Sequence, residues 1–241
     1  MMNKMKDLLI NNKFVKIGEL VLIFIIAFGF IKIFTPLAGD NIVHKQIVIW
    51  FANILMLIYV WIGIKLRDQK LTYFGLSFGK ITLKECFKTI LISIGVFIAA
   101  VAAFIIGSII MANITGIPES SDLSNYEYLQ NNISMLIITL IGTYIVASFG
   151  EEVIYRGFII NRLIELGLNS KLGKNLAIII SAVIFGLVHY QWGPMGIVQT
   201  GFMGAVLGYF YLKLKKRIWI LVLAHGYMDT ILMIQVYLSN N

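Results

Sequence analysis

The sequence predicts an all-α polytopic membrane protein: a helical bundle of about seven transmembrane helices, with room for an eighth, interfacial helix. Three observations predict it. Hydrophobic residues make up 59% of the 241-residue chain and charged residues only 13%, against roughly 45–50% and about 25% in soluble domains. The mean hydropathy is +0.86. The basic residues fall in clusters between long apolar runs. Together these values exclude a soluble globular enzyme, a disordered chain and a disulfide scaffold. The single cysteine, Cys86, cannot form an intrachain disulfide.

A transmembrane helix needs about 20 mostly apolar residues. Seven stretches meet or approach that length: 17–35, 46–65, 88–112, 133–152, 175–190, 195–213 and 218–238. The first follows a basic N-terminus, as a signal peptide would, and Thr35 to Gly39 offers small residues for cleavage. Its apolar run exceeds a typical signal core and more spans follow, so it reads as a retained anchor. The fifth stretch is short, and the fourth can continue as helix to about residue 162.

Charge sets the expected orientation. Lys4, Lys6, Lys13 and Lys16 precede the first span, and Lys65, Arg67, Lys70, Lys80, Lys84 and Lys88 surround the second connection. Arg156, Arg162, Lys171 and Lys174 lie after the fourth span, and Lys213, Lys215, Lys216 and Arg217 after the sixth. Only Lys32 and Lys45 of the 20 basic residues fall on the other side. The expectation is an N-terminus in the cytoplasm and a C-terminus outside. The loop at 113–132 agrees, with Glu119, Asp122 and Glu127 and no basic residue. The connection at 66–84 mixes Leu71, Phe74, Leu76, Phe78 and Ile81 with Lys and Gly, and is expected to rest among the headgroups. Lys213 to Arg217 is read as a topology determinant that meets anionic lipid, with no nucleic-acid role.

An ionisable residue inside a span costs about 2.5–3.5 kcal/mol on insertion scales, so each one needs a reason. Glu19 and Lys32 lie near the ends of the first span and can snorkel, and His44 sits at an edge. The C-terminal half differs. Glu151, Glu152 and Arg156 lie at the end of the fourth span, His189 ends the fifth, and His225 and Asp229 lie inside the seventh. Glu152 and Arg156 are four residues apart, with the acid first, the better order for an ion pair. Glu151 points about 100° away and is left free, with Tyr155 on its own face and within reach of a hydrogen bond. Phe185 shares a face with His189, as His225 does with Asp229. Gly186 and Gly226 are read as packing residues. Trp192 and Tyr190 are assigned to an aromatic belt, and Met195, Met203, Met228 and Met233 to packing.

A converging carboxylate and imidazole can activate water, and a second histidine with an acid partner can receive the oxyanion of a tetrahedral intermediate. That is a constellation for amide hydrolysis. Zinc is the other reading, with His189, His225 and Glu151 as three ligands and one open position. The His-Glu-x-x-His helix motif is absent. Ser148 lies near Glu151, but no Gly-x-Ser-x-Gly elbow surrounds it.

In order, Glu151-Glu152-x-x-x-Arg156, Phe185-x-x-x-His189 and His225-x-x-x-Asp229 resemble the CAAX-prenyl-protease and bacteriocin-processing family of intramembrane proteases, also called the Abi family. The resemblance covers roughly residues 130–235. It implies a membrane endopeptidase in which Glu151 and His189 activate water, His225 and Asp229 serve the oxyanion, and Glu152 and Arg156 support the site. It implies a peptide or protein substrate in the bilayer, either a prenylated protein or a bacteriocin precursor. The third motif usually ends in Asn. An ionised Asp229 would repel an oxyanion, so Asp229 either is protonated or orients His225. The family has been described with and without a metal. A Glu151–His189 pair can move the protons unaided, which favours a metal-independent mechanism with no required cofactor over zinc.

On this reading residues 1–130 hold the N-terminal helices and the interfacial loop, and 131–238 the catalytic core. The expected location is a bacterial plasma membrane. A non-catalytic immunity or scaffold protein of the same fold, and a proton-coupled carrier, are the alternatives. Glu151 and His189 lie at opposite depths if the fourth span stops at residue 152. Their meeting therefore predicts a long fourth helix, with Glu151 near mid-membrane.

Overall fold

The computed structural model describes residues 2–77, 82–116 and 124–239. Phe78, Lys80 and Ile81 of one connection, and Glu119 and Asp122 of another, lie outside the described residues. Among the described residues every regular element is helical. Eight helices run in chain order: α1 (Met2–Asn11), α2 (Lys13–Phe34), α3 (Ile42–Leu66), α4 (Leu83–Thr115), α5 (Ile133–Glu165), α6 (Lys171–Leu187), α7 (Gly193–Lys213) and α8 (Ile218–Leu238). Helices α2, α3, α4, α5, α7 and α8 are long and apolar enough to cross a membrane. Helix α6, with 17 residues, spans about 26 Å at 1.5 Å per residue, short of the roughly 30 Å hydrocarbon core. The protein is a polytopic helical membrane bundle.

Helix starts follow local chemistry. Asn12, Asn41, Asn132 and Ser170 each accept a hydrogen bond from the backbone N–H three residues on, closing an orphan donor. Thr82 and Glu85 form a reciprocal capping box at the start of α4. In lipid, backbone groups must be satisfied within the helix, and these caps meet that need at the ends.

The fourth span is one helix through Glu165, so it runs even further than the sequence predicts. It winds in π fashion from Tyr144 to Ile160, a rare wide turn that is frequent at functional sites. Every residue from Glu152 to Arg162 is buried, which makes this half of α5 the axis of the bundle. Helix α6 packs on α7 at Gly186, where an added Cβ would stand 2.4 Å from the Ile197 carbonyl oxygen. The turn Leu71–Phe74 belongs to the connection expected among the headgroups, and Leu71 stays exposed. Phe74 is buried against Gly157, and Leu76 is buried too, so these two side chains plug into the protein. Gly75, at φ +84°, lies where a Cβ would strike the Lys216 backbone, so only glycine fits there.

Glu19 does not snorkel. It is buried and ion-paired with Arg67 of α3 and with Arg162 of α5, the latter at 3.3 Å. Arg162 also pairs with Glu165, which Lys16 approaches at 3.3 Å and the Tyr73 hydroxyl at 2.6 Å. Buried charges need partners, and this network ties α2, α3 and the Leu71–Phe74 turn to the end of α5. Lys32 and His44 are exposed, as bland edge residues should be.

Candidate active site

Helices α5, α6 and α8 bring the polar residues of the three motifs together. Glu152 Oε1 accepts from Arg156 Nη1 at 2.9 Å, the ion pair that the i, i+4 spacing predicts. The same oxygen lies 2.9 Å from His225 Nδ1 on α8. The Glu152 carboxylate offers only lone pairs, so Nδ1 carries the proton and donates. Glu152 and Arg156 are almost fully enclosed. The guanidinium also donates to the Gly204 carbonyl at 3.3 Å and stacks 4.4 Å over the Phe185 ring.

Glu151 stands on the other side of the same imidazole. Its Oε2 is 3.9 Å from His225 Nε2, and Asp229 Oδ1 is 3.8 Å from that nitrogen. Neither is a hydrogen bond at that distance. The two adjacent glutamates therefore straddle His225: Glu152 is locked to it and to Arg156, and Glu151 is not. Asp229 is held by Ser148, whose hydroxyl donates to Oδ2 at 2.6 Å.

His189 lies just past the end of α6. Its Nδ1 is 2.7 Å from the Phe185 carbonyl. A carbonyl can only accept, so Nδ1 donates and, in the neutral ring, Nε2 keeps a lone pair. The ring is flanked by Phe185 at 4.8 Å and Trp192 at 5.1 Å. Among the described residues no hydrogen bond or ion pair joins His189 to Glu151, so the expected pair is not in direct contact. Phe185 touches both sides: its ring is 4.8 Å from His189 and 6.2 Å from His225. Tyr155, placed by sequence beside Glu151, instead sets its ring edge against Phe185 at 4.9 Å. No hydrogen bond joins it to Glu151 among the described residues.

Three contributors escape the sequence reading. Ser148, which has no nucleophile elbow around it, is the partner of Asp229. Phe185, which shares a face with His189 in the sequence, is the wedge under Arg156 and both histidines. Ser181 donates to the Tyr155 carbonyl at 2.9 Å, supporting the π-wound backbone beside the cluster. No spacing rule signals partners on different helices.

Among the described residues no group of three or more His, Cys, Asp or Glu is placed to hold a metal ion. The Nδ1 atoms of His189 and His225 are both engaged by oxygens of the protein, which leaves Nε2 as the nitrogen each ring can turn to a water or a metal.

Residues 133–231 match the family model described as type II CAAX prenyl endopeptidase Rce1-like. That range contains every residue of the cluster. A "Putative membrane peptidase YdiL" of Bacillus subtilis is 33% identical over 140 residues, covering 58% of this chain and 53% of the relative. The chain thus spans about half the length of this curated relative. No solved structure matches the chain. Residues 133–231 are thus similar to the Rce1-like family, in keeping with the three motifs' resemblance to the CAAX-prenyl-protease and bacteriocin-processing family.

Proposed function

We propose that this protein is an intramembrane endopeptidase with residues 131–238 as its catalytic core. The observation that carries this reading is the unequal treatment of the two glutamates. Glu152 is committed to Arg156 and His225, while Glu151 is left beside His225 without a hydrogen-bonded partner among the described residues.

In the proposed reaction Glu151 and the Nε2 lone pair of His189 hold a water. Glu151 takes one proton from it as the oxygen bonds to the amide carbon. The carbonyl π pair moves to oxygen, and a charged His225 donates its Nε2–H to that oxyanion. Glu152 fixes the ring for this task from the opposite nitrogen. Asp229, accepting from Ser148, orients His225. Collapse of the intermediate breaks the C–N bond as Glu151 passes its proton to the leaving nitrogen. The mechanism uses no metal. The substrate is a membrane-associated peptide or protein, with prenylated proteins and bacteriocin precursors as the two classes to test. The membrane is a bacterial plasma membrane, with the N-terminus in the cytoplasm by the distribution of basic residues.

The test compares purified wild type with Glu151→Ala and His189→Ala on a membrane proteome, reading new termini by mass spectrometry with and without a strong zinc chelator. Termini lost in both variants and retained with chelator are expected. No terminus dependent on Glu151 or His189 would overturn the protease reading. Loss with chelator would overturn the metal-independent mechanism.

A further inference from the structure

The short turn Ser124–Leu129 lies across one end of the bundle. It is firmly seated. Leu129 is fully buried with Leu136 of α5 and with Met233 and Val236 of α8. Asn131 N–H donates to the Tyr237 carbonyl at 3.2 Å, and Gln130 Nε2 lies 3.3 Å from Ser239 Oγ. The Thr139 hydroxyl donates to the Tyr128 hydroxyl at 3.3 Å. The turn is thus pinned to α5 and α8 together, the two helices that carry Glu151 and Asp229.

Tyr126 of this turn packs in the same cluster. Met233 follows Asp229 by one helical turn, on the same face of α8, so the cluster begins one turn beyond Asp229. Tyr126 lies within electrostatic range of both Asp229 and Glu151. Among the described residues its hydroxyl has no hydrogen-bond partner, whereas that of Tyr128 has one. Burial, and then the Asp229 charge, push the phenol above its usual range. It therefore remains an O–H donor at any physiological pH. A half-buried phenol packed one helical turn beyond Asp229, with no acceptor among the described residues, has its O–H free for an incoming one, and a reacting carbonyl oxygen is such an acceptor.

We propose that Tyr126 is a further catalytic residue, whose phenol O–H hydrogen-bonds the substrate's scissile carbonyl oxygen from the side opposite His225. This rests on the protease reading above. Its effect is on the oxyanion: the O–H is neutral, so it adds a donor without adding a charge beside Glu151 and Asp229. The arrangement also explains why the turn is pinned to both helices, since its aim depends on α5 and α8 at once.

The experiment pairs kinetics with a placement probe. Tyr126→Phe removes only the oxygen, and Tyr128→Phe is the control. Loss of one oxyanion donor is expected to lower kcat by about 10²-fold with KM little changed, while Tyr128→Phe stays near wild type. In parallel, 3-fluorotyrosine at position 126 is followed by fluorine NMR. Its resonance is expected to move in Asp229→Asn and to stay in place in Glu127→Gln, since Glu127 is exposed. Wild-type kcat in Tyr126→Phe overturns the proposal. A resonance unmoved by Asp229→Asn overturns the placement whatever the activity. Cleavage that does not depend on Glu151 overturns the protease reading itself, and with it the reaction assigned to Tyr126.

Discussion

Glu152 of α5 and His225 of α8, 73 residues apart in sequence, meet at 2.9 Å through Oε1 and Nδ1. The same carboxylate oxygen holds Arg156. Removing Glu152 would strand a buried guanidinium, a loss of about 3–5 kcal/mol for a broken buried pair. Glu151 has no such tie. Glu152→Ala is therefore expected to lower both activity and melting temperature, and Glu151→Ala to abolish activity with a near-native melting temperature. Thermal unfolding in detergent separates them; equal destabilisation by both would contradict the division of labour.

Ser148 acts through Asp229. Ser148→Ala removes one donor at 2.6 Å, with a stability cost of about 1 kcal/mol or less for a typical hydrogen bond. Its effect on kcat is expected to exceed that on stability, because Asp229 loses its fixed orientation beside His225. In the Asp229→Asn background Ser148→Ala is expected to cost less than in wild type, since the pair works as a unit. Additive losses in that double-variant cycle would argue for independent roles.

The two motif glycines differ. At Gly186 a Cβ would meet the Ile197 carbonyl oxygen at 2.4 Å, whereas at Gly226 the nearest atom is Ser148 Oγ at 3.6 Å, an ordinary contact. Gly186→Ala is expected to push α6 off α7, costing about 1–3 kcal/mol by overpacking and shifting His189. Gly226→Ala is expected to be tolerated. Melting curves of the two variants check this, and a stable Gly186→Ala protein would show that the helices can separate freely.

Far along the chain from the motifs, Glu19 neutralises Arg67 and Arg162 together. Glu19→Ala leaves Arg67 without an ion-pair partner among the described residues and Arg162 with Glu165 alone, for an expected loss of about 3–5 kcal/mol. Because Arg162 belongs to the same helix as Glu151 and Glu152, activity should fall with stability. A melting temperature unchanged by Glu19→Ala would place these charges in contact with water.

Lys6 donates to Asp68 at 2.8 Å, and that hydrogen bond, then the ammonium charge, hold the Asp68 carboxyl below its usual range. A depressed folded pKa adds stability above the unfolded value of about 3.9 and gives it up as pH falls through the folded value. The pair is exposed, so the effect is small and screened by salt. An NMR titration should find the Asp68 midpoint below the unfolded value at low salt and closer to it in Lys6→Ala. An identical midpoint in the variant would remove Lys6 as the cause.

The sequence by itself determined six of the seven expected spans, because about 20 apolar residues are needed whatever the neighbours are, and the seventh, α6, is a helix of only 17 residues. It also determined Glu152–Arg156, because i, i+4 spacing fixes contact within one helix. It predicted a long α5 from a conflict of depths between Glu151 and His189. Only the tertiary structure decided that Glu152 engages His225, that Ser148 holds Asp229, that Phe185 stands between two histidines, and that Glu19 is buried. These contacts depend on how helices are rotated and packed against each other. Side-chain periodicity assigns a residue to a face of its own helix, and says nothing about which helix that face will meet.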